Sequence, residues 1–330
     1  MIKSKIIGMG YHTPERIVTN KELETYMDTS DDWIFSRSGI KERRWVENDT
    51  AVSDLALEAS KNAIRAASIS PKEIDLVIVG SISSDHYFPG VSAQLQHKLG
   101  LRKIAAFDIK VACSAFIYAL SIGDQFIKTG MAQTILIVGA EVQSKFLDFS
   151  TEGREMAVLF GDGAGAAILQ KTENDACILS THLHCEGKNF KKLWMEAPGS
   201  AYDCQTHTVD FKEKKHFPSM NGREVFRNAI IRFPEVIKEC LQANDLELEE
   251  IKLIVPHQAN FRISKAVAKK MGIDMKKVYS NISKYGNTTG ASIPIALCEA
   301  LEEKCFSEGD IIILASFGAG FTWASAAIQW

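Results

Sequence analysis

The segment IDLVIVGSIS at 74–83 is echoed at 251–260 by IKLIVPHQAN, and GDGAGAAILQK at 161–171 is echoed by GAGFTWASAAIQW at 318–330. The first pair follows Glu-rich helix ends. The second pair shares a Gly-x-Gly turn that runs into a small, apolar strand. One likeness between buried strands is weak evidence, but two in the same order point to an internal duplication. At 330 residues the chain exceeds one ordinary core and suits two packed halves. A polar turn at 172–176 (TENDA) sets the expected boundary, with halves at 1–172 and 173–330.

Within each half, strand-like apolar runs alternate with helical spacing, which is the rhythm of α/β layering. Strands are expected at 74–82, 104–109, 134–141 and 164–170, and again at 251–255, 278–281 and 311–316. Helices are expected at 51–67, 90–99 and 113–130, then at 222–243, 260–271 and 290–304. Two stretches stand outside the repeat, 11–48 and 187–220, and long connections of this kind are functional loops or surface excursions.

Bulk properties narrow the function. Hydrophobic residues make up 46% and charged residues 24%, the balance of a globular enzyme. A formal net charge of −3 gives no general attraction to nucleic acid or an anionic membrane, and no apolar run approaches membrane-spanning length. The first ten residues have the character of a strand and lack the pattern of a signal peptide. Seven cysteines, scattered and odd in number, suit free thiols in a reducing cytoplasm.

Cys113 opens an apolar helical stretch, where the helix dipole and unpaired N–H groups favour thiolate. The alternative is a small buried core residue, the usual fate of a free cysteine. His257 follows Pro256 at the end of an apolar strand, where α/β folds place their sites and where core histidines also occur. Asn287 lies in KYGNTTGASIP (284–294) just before a helix, as a site residue or as a left-handed turn asparagine. Gly318, in SFGAGFTW (316–323), allows backbone N–H groups to approach a bound oxygen. A thiolate, an imidazole, an amide and such a turn together suit thioester chemistry.

Other patterns are less specific. FGDGAGA (160–166) lacks the phosphate-loop lysine and precedes a strand, so it is a tight turn. His182, His184, Cys185, Cys204 and His207 have zinc-ligand types without zinc-ligand spacing, and THLHCE suggests a strand with outward histidines. Trp33 and Arg37, four apart, form either an ordinary surface pair or a ring-and-phosphate grip. Arg262, Lys265 and Lys269 share a helix face, which is either solvated or a dock for an acidic partner.

Ala112–Cys113–Ser114, VPHQAN (255–260), Tyr285 to Pro294, Phe160 to Ala166 and Phe317 to Trp323 occur here in an order that resembles the thiolase-fold condensing enzymes. The closest resemblance is to the family of β-ketoacyl-acyl-carrier-protein synthases III, and it extends over essentially the whole chain. It implies a thiolase-like, duplicated α-β-α-β-α layered fold. The implied reaction joins an acyl-CoA primer to malonyl-acyl carrier protein with loss of carbon dioxide, starting fatty acid synthesis without metal or cofactor. Cys113 is implied as the acylated nucleophile, with His257 and Asn287 as the decarboxylation pair and Cys113 and Gly318 N–H groups as the oxyanion hole. Trp33, Arg37, Arg154, Phe226 and Asn260 match coenzyme A positions, and Arg262, with Lys265 and Lys269 beside it, matches the carrier-protein dock. Phe88 matches a residue that closes the acyl pocket of the other protomer in a homodimer.

Two departures stand out. Ala115 replaces the family's usual glycine, which is expected to tighten the floor of the acyl site, and the 187–220 loop is longer than usual. These are the features that a related acyltransferase of secondary metabolism, acting on a different acceptor, would share. A non-catalytic partner subunit would have no reason to keep Cys113, His257 and Asn287 together.

Overall fold

The computed structural model describes residues 2–201 and 213–330, so Cys204 and His207 lie outside the described residues. Two sheets dominate. The first runs in spatial order Lys3–His12, Gly163–Thr172, Thr134–Glu141, Leu76–Gly80 and Ala105–Ile109. The second runs Cys177–Cys185, Thr322–Gln329, Ile311–Gly318 and Ile251–Pro256. In both, the first two contacts are antiparallel and the third is parallel. The two pairs of echoed segments therefore occupy matching places in the two sheets.

The match stops at the last strand. Ala105–Ile109 pairs in parallel with Leu76–Gly80, whereas the strand expected at 278–281 is reduced to a single parallel bridge between Val278 and Ile254. The reason is local. Gln258 Oε1 accepts hydrogen bonds from Ser280 Oγ and the Asn281 N–H, drawing the chain out of the ladder. The remaining expected strands and helices form, with ends displaced by a few residues.

Side-chain alternation along the strands builds five layers. Leu76, Ile78, Ile135 and Ile137 face a central layer, while Val77, Val79, Leu136 and Val138 face the outer helices Val52–Ala67 and Val91–Lys98. In the second sheet Ile312 and Leu314 face the centre, and Ile313 and Ala315 face helices Gly222–Ala243 and Phe261–Met271. The central layer consists of Ala115–Lys128 and Ser292–Glu302, both covered by sheet on two sides. This period-two division of apolar residues between two cores is what a buried sheet requires.

The 11–48 insertion has its own small core of Leu23, Ile34, Ile40 and Trp45, packed on Met156 and Val158. Its fully buried Arg43 donates to the carbonyls of Val18 and Val158. The 187–220 insertion contributes a hairpin of Leu193–Met195 and Pro218–Met220. His182 and His184, expected to point outward, face helix Gly222–Ala243 instead and share Glu239, at 3.5 and 2.6 Å. No group of three or more metal-ligand side chains is gathered among the described residues. Nor is any helix among them long and apolar enough to cross a membrane.

Candidate active site

The C-terminal ends of the parallel strands of both sheets meet at one cavity of about 950 Å³. Cys113, His257, Asn287 and Gly318 all line it. Each is delivered by a different turn.

Cys113 sits in a short 3-10 turn, Ala112–Ser114, and the α-helix begins only at Ala115. Ala112 adopts φ 44°, a left-handed conformation that turns the chain into the helix. Cys113 is 7% exposed, and burial together with the Glu141 carboxylate pushes its thiol up to about 12. The N–H groups of Ala319 and Cys113 act in the opposite direction. The thiolate expected from a helix N-terminus is therefore not the resting form, because desolvation outweighs the dipole.

The backbone contact to the sulfur falls one residue past the expected Gly318. The amide facing Sγ is that of Ala319, not Gly318. Gly318 serves by lacking a side chain, since a Cβ there would lie 2.5 Å from Cys113 Cβ and 2.8 Å from Sγ. Ala115, expected to tighten the acyl site, is fully buried and absent from the cavity wall. Its methyl group fills the space left by Gly80, whose own Cβ would lie 2.6 Å from it.

His257 continues the strand Ile251–Pro256, and its N–H donates to Ala315 O at 2.8 Å. The ring is 2% exposed, with Nδ1 2.6 Å from Ser292 Oγ and Nε2 without a protein partner. Burial lowers its pKa to about 3, so the ring is neutral at physiological pH. Ser292 Oγ also lies 3.4 Å from the Gln258 N–H, which can only donate. With that amide on one lone pair, the serine hydroxyl has its proton available to Nδ1, the arrangement that leaves the ring proton on Nε2.

Asn287 is held through its backbone, donating to Leu159 O and accepting from Gly161 N–H. Its Oδ1 accepts the Thr289 N–H at 2.8 Å, which leaves the amide Nδ2 as the group free to donate. The left-handed residues of this segment are Gly286 and Thr289, so Asn287 is not a left-handed turn asparagine.

The mouth of the cavity is lined by Trp33, Arg37, Phe226, Asn260 and Arg262. Ser30 caps helix Asp31–Ser38, and the four-residue spacing stacks Arg37 over Trp33 at 4.6 Å. Arg154 covers the same indole at 5.0 Å without itself lining the cavity. Asn260 caps helix Phe261–Met271 and donates to Arg37 O, tying the two halves of the mouth together. Arg262, Lys265 and Lys269 are exposed along that helix, and only Arg262 reaches the cavity. Phe88 is 79% exposed and lies outside its own chain's cavity.

Three residues of this centre were not singled out from the sequence: Ser292, Ala319 and Glu141. Glu141 alone carried a signal, as a lone carboxylate ending the otherwise uncharged strand TILIVGAE (134–141).

A buried cysteine beside two backbone amides, opposite a neutral histidine and an oriented asparagine in a duplicated five-layer fold, defines a thiolase-fold condensing enzyme. The 3-oxoacyl-[acyl-carrier-protein] synthase III family model matches residues 107–187, and the model of its C-terminal part matches 241–330. A β-ketoacyl-[acyl-carrier-protein] synthase III of Caldanaerobacter subterraneus subsp. tengcongensis is 44% identical over 329 residues, covering 100% of this chain and 98% of that protein. The synthase III structure from Thermus thermophilus superimposes with a TM-score of 0.92 at 39% identity, covering 99% of each chain. A priming β-ketosynthase of the R1128 polyketide pathway superimposes at 0.91 with 30% identity, covering 99% of this chain and 96% of that one. The chain belongs to the β-ketoacyl-acyl-carrier-protein synthase III family of acyltransferases.

Proposed function

We propose that the chain condenses an acyl-CoA primer with malonyl-acyl carrier protein, using Cys113, His257 and Asn287 in two half-reactions. The observation that carries this reading is the convergence of the three side chains on one cavity, with the sulfur against the Cys113 and Ala319 amides. In the first half-reaction, Cys113 Sγ attacks the primer thioester, the carbonyl oxygen becomes an oxyanion, and the two amides hold it. Each such donor contributes roughly 3–4 kcal/mol to lowering the barrier. The CoA–carbon bond breaks, and the thiol proton ends on the departing CoA sulfur.

In the second, the malonyl thioester carbonyl takes hydrogen bonds from His257 Nε2–H and Asn287 Nδ2–H. Carbon dioxide leaves, the two donors stabilise the enolate, and its carbon attacks the acyl-Cys113 carbonyl. The new C–C bond forms, the S–C bond breaks, and the Cys113 sulfur takes up a proton from solvent. A neutral imidazole is what this step needs, and burial provides it. Coenzyme A and the carrier protein enter as substrates, so no further cofactor is called for.

The remaining assignments follow the same reading. Trp33, Arg37 and Arg154 grip the adenine and phosphate end of CoA, Phe226 and Asn260 line the pantetheine path, and Arg262, Lys265 and Lys269 receive the acidic carrier protein. A second copy of the chain covers exposed Tyr87 and Phe88 and the open edge strand Ala105–Ile109. The boundary near residue 172 separates the nucleophile half from the histidine and asparagine half. The six described cysteines are free, which supports a reducing cytoplasm. A secondary-metabolism acyltransferase is not favoured, given 44% identity to a synthase III against 30% to the polyketide priming enzyme.

The test is intact-protein mass spectrometry after incubation with a panel of acyl-CoA thioesters. One acyl mass added to the wild-type chain and absent from Cys113→Ala is the expected result, and it names the primer. His257→Ala and Asn287→Ala should still acylate but fail to condense. Normal condensation by His257→Ala would overturn the assigned roles.

A further inference from the structure

Glu141 is a fully buried carboxylate that the two half-reactions leave unused. It ends the central strand of the first sheet, and among the described residues no lysine or arginine pairs with it. Its partners are hydrogen-bond donors from three segments around the cavity. Ser83 Oγ donates at 2.5 Å, the Ile82 N–H lies 3.3 Å from both carboxylate oxygens, and Gln143 Nε2 donates at 3.3 Å. The Gly290 N–H, on the turn that begins at Asn287, favours its charged form. That turn rests directly on the strand end, since a Cβ on Gly139 would strike the Gly290 carbonyl and one on Gly290 would lie 3.4 Å from Glu141 Oε1. Ile82, Ser83, Gln143 and Thr289 all line the cavity.

We propose that Glu141 is a positioning residue for the condensation step, binding the acyl-side wall at Ile82–Ser83 to the turn that presents Asn287. The proposal rests on the reading that Asn287 acts on the malonyl thioester. A buried carboxylate with no counter-ion is costly, and replacing it with apolar packing would suit stability better. What only an acceptor-rich, doubly oxygenated group achieves here is to face donors from several loops at once. The turn it holds contains Thr289 at φ 49°, a strained conformation for a β-branched residue, kept in place by the Thr289 N–H to Asn287 Oδ1 bond. Without the Glu141 contact, the turn and the Asn287 amide lose their fixed relation to Cys113.

The charge state of Glu141 gives the proposal a signature. Burial pushes its pKa up to about 7. The titratable groups around it are Cys113 on the nucleophile turn and Asp162, which precedes the neighbouring strand. Lys145 turns away to the carbonyls of Asn48 and Thr50. Cys113 and His257 are pushed out of this range in opposite directions. Asp162 has its own donors from Val46, Gln143 and Ser144.

Glu141→Gln keeps the shape but leaves one acceptor oxygen in place of two, so the Ile82 and Gly290 N–H groups, which can only donate, compete for it. The experiment measures acyl transfer to Cys113 by mass and condensation of the pre-acylated enzyme with malonyl-acyl carrier protein, each from pH 5.5 to 8.5. The expected result is acyl transfer no slower than wild type, since removing the Glu141 charge eases ionisation of Cys113, and condensation slowed about 10- to 100-fold. Wild-type condensation should fall as pH drops through about 7, and the variant should lack that step. Equal slowing of both half-reactions, or a wild-type pH profile in the variant, would overturn the proposal and leave Glu141 a brace of the fold. Failure of wild-type Cys113 to acylate at all would overturn the functional reading, and this proposal with it.

Discussion

Ser292→Ala is the perturbation that most directly tests how the histidine is prepared. The hydroxyl lies 2.6 Å from His257 Nδ1 and, with the Gln258 N–H at 3.4 Å on one lone pair, has its proton available to the ring. Both residues are 2% exposed, and removing the hydroxyl leaves Nδ1 without the protein partner it has here. Leaving a buried ring nitrogen unsatisfied costs about 1–3 kcal/mol. The same change removes the bias that keeps the proton on Nε2, where the enolate needs it. Applied to the transition state, about 1.4–2.7 kcal/mol is a 10- to 100-fold loss of condensation rate. The assay is single-turnover condensation of acyl-Cys113 enzyme with malonyl-acyl carrier protein, run beside the rate of acyl loading. Condensation should fall while loading stays within about 3-fold of wild type, because the oxyanion amides are untouched. Unchanged condensation, or an equal fall in both steps, would refute the tautomer argument.

Gly318→Ala places a methyl group on Cys113 Cβ and Sγ, so iodoacetamide labelling of Cys113 and acyl loading should both be lost, with a destabilisation of about 1–3 kcal/mol seen in a denaturant melt. Wild-type labelling would show that the turn yields. Replacing Arg262 by Glu should raise KM for the carrier-protein substrate more than for a CoA-linked analogue, and an equal effect would remove Arg262 from docking. Stability should respond to pH through two opposed groups. His257, depressed to about 3 by burial, contributes stability present above its usual 6.5 and lost as pH falls toward 3. Glu141, raised to about 7, contributes stability present below its usual 4.5 and lost as pH rises through 7. Between pH 4.5 and 6.5 the two slopes, each about 1.4 kcal/mol per unit, nearly cancel. In Glu141→Gln, stability measured by urea titration should therefore rise with pH across that window, and a flat profile would contradict the buried charges.

Much of this protein was legible before any coordinates. The apolar runs and the two echoed segments determined a duplicated α/β chain, because strand periodicity and Gly-x-Gly turns are local properties. The turns around Cys113, His257 and Asn287 were legible for the same reason, since each is a short motif whose residues act together. Properties that depend on what surrounds a group in space were decided by the tertiary structure alone. Cys113 adjoins a helix N-terminus as the sequence suggests, yet its thiol is pushed up because two half-structures close over it and exclude water. The amide beside the sulfur is that of Ala319, one residue past Gly318, because the turn packs Gly318 itself against Cys113. Ser292 and Glu141 lie 35 residues after His257 and 28 residues after Cys113. Their roles come from tertiary packing that brings a helix start beside a ring and a strand end beneath a turn, which spacing along the chain cannot encode.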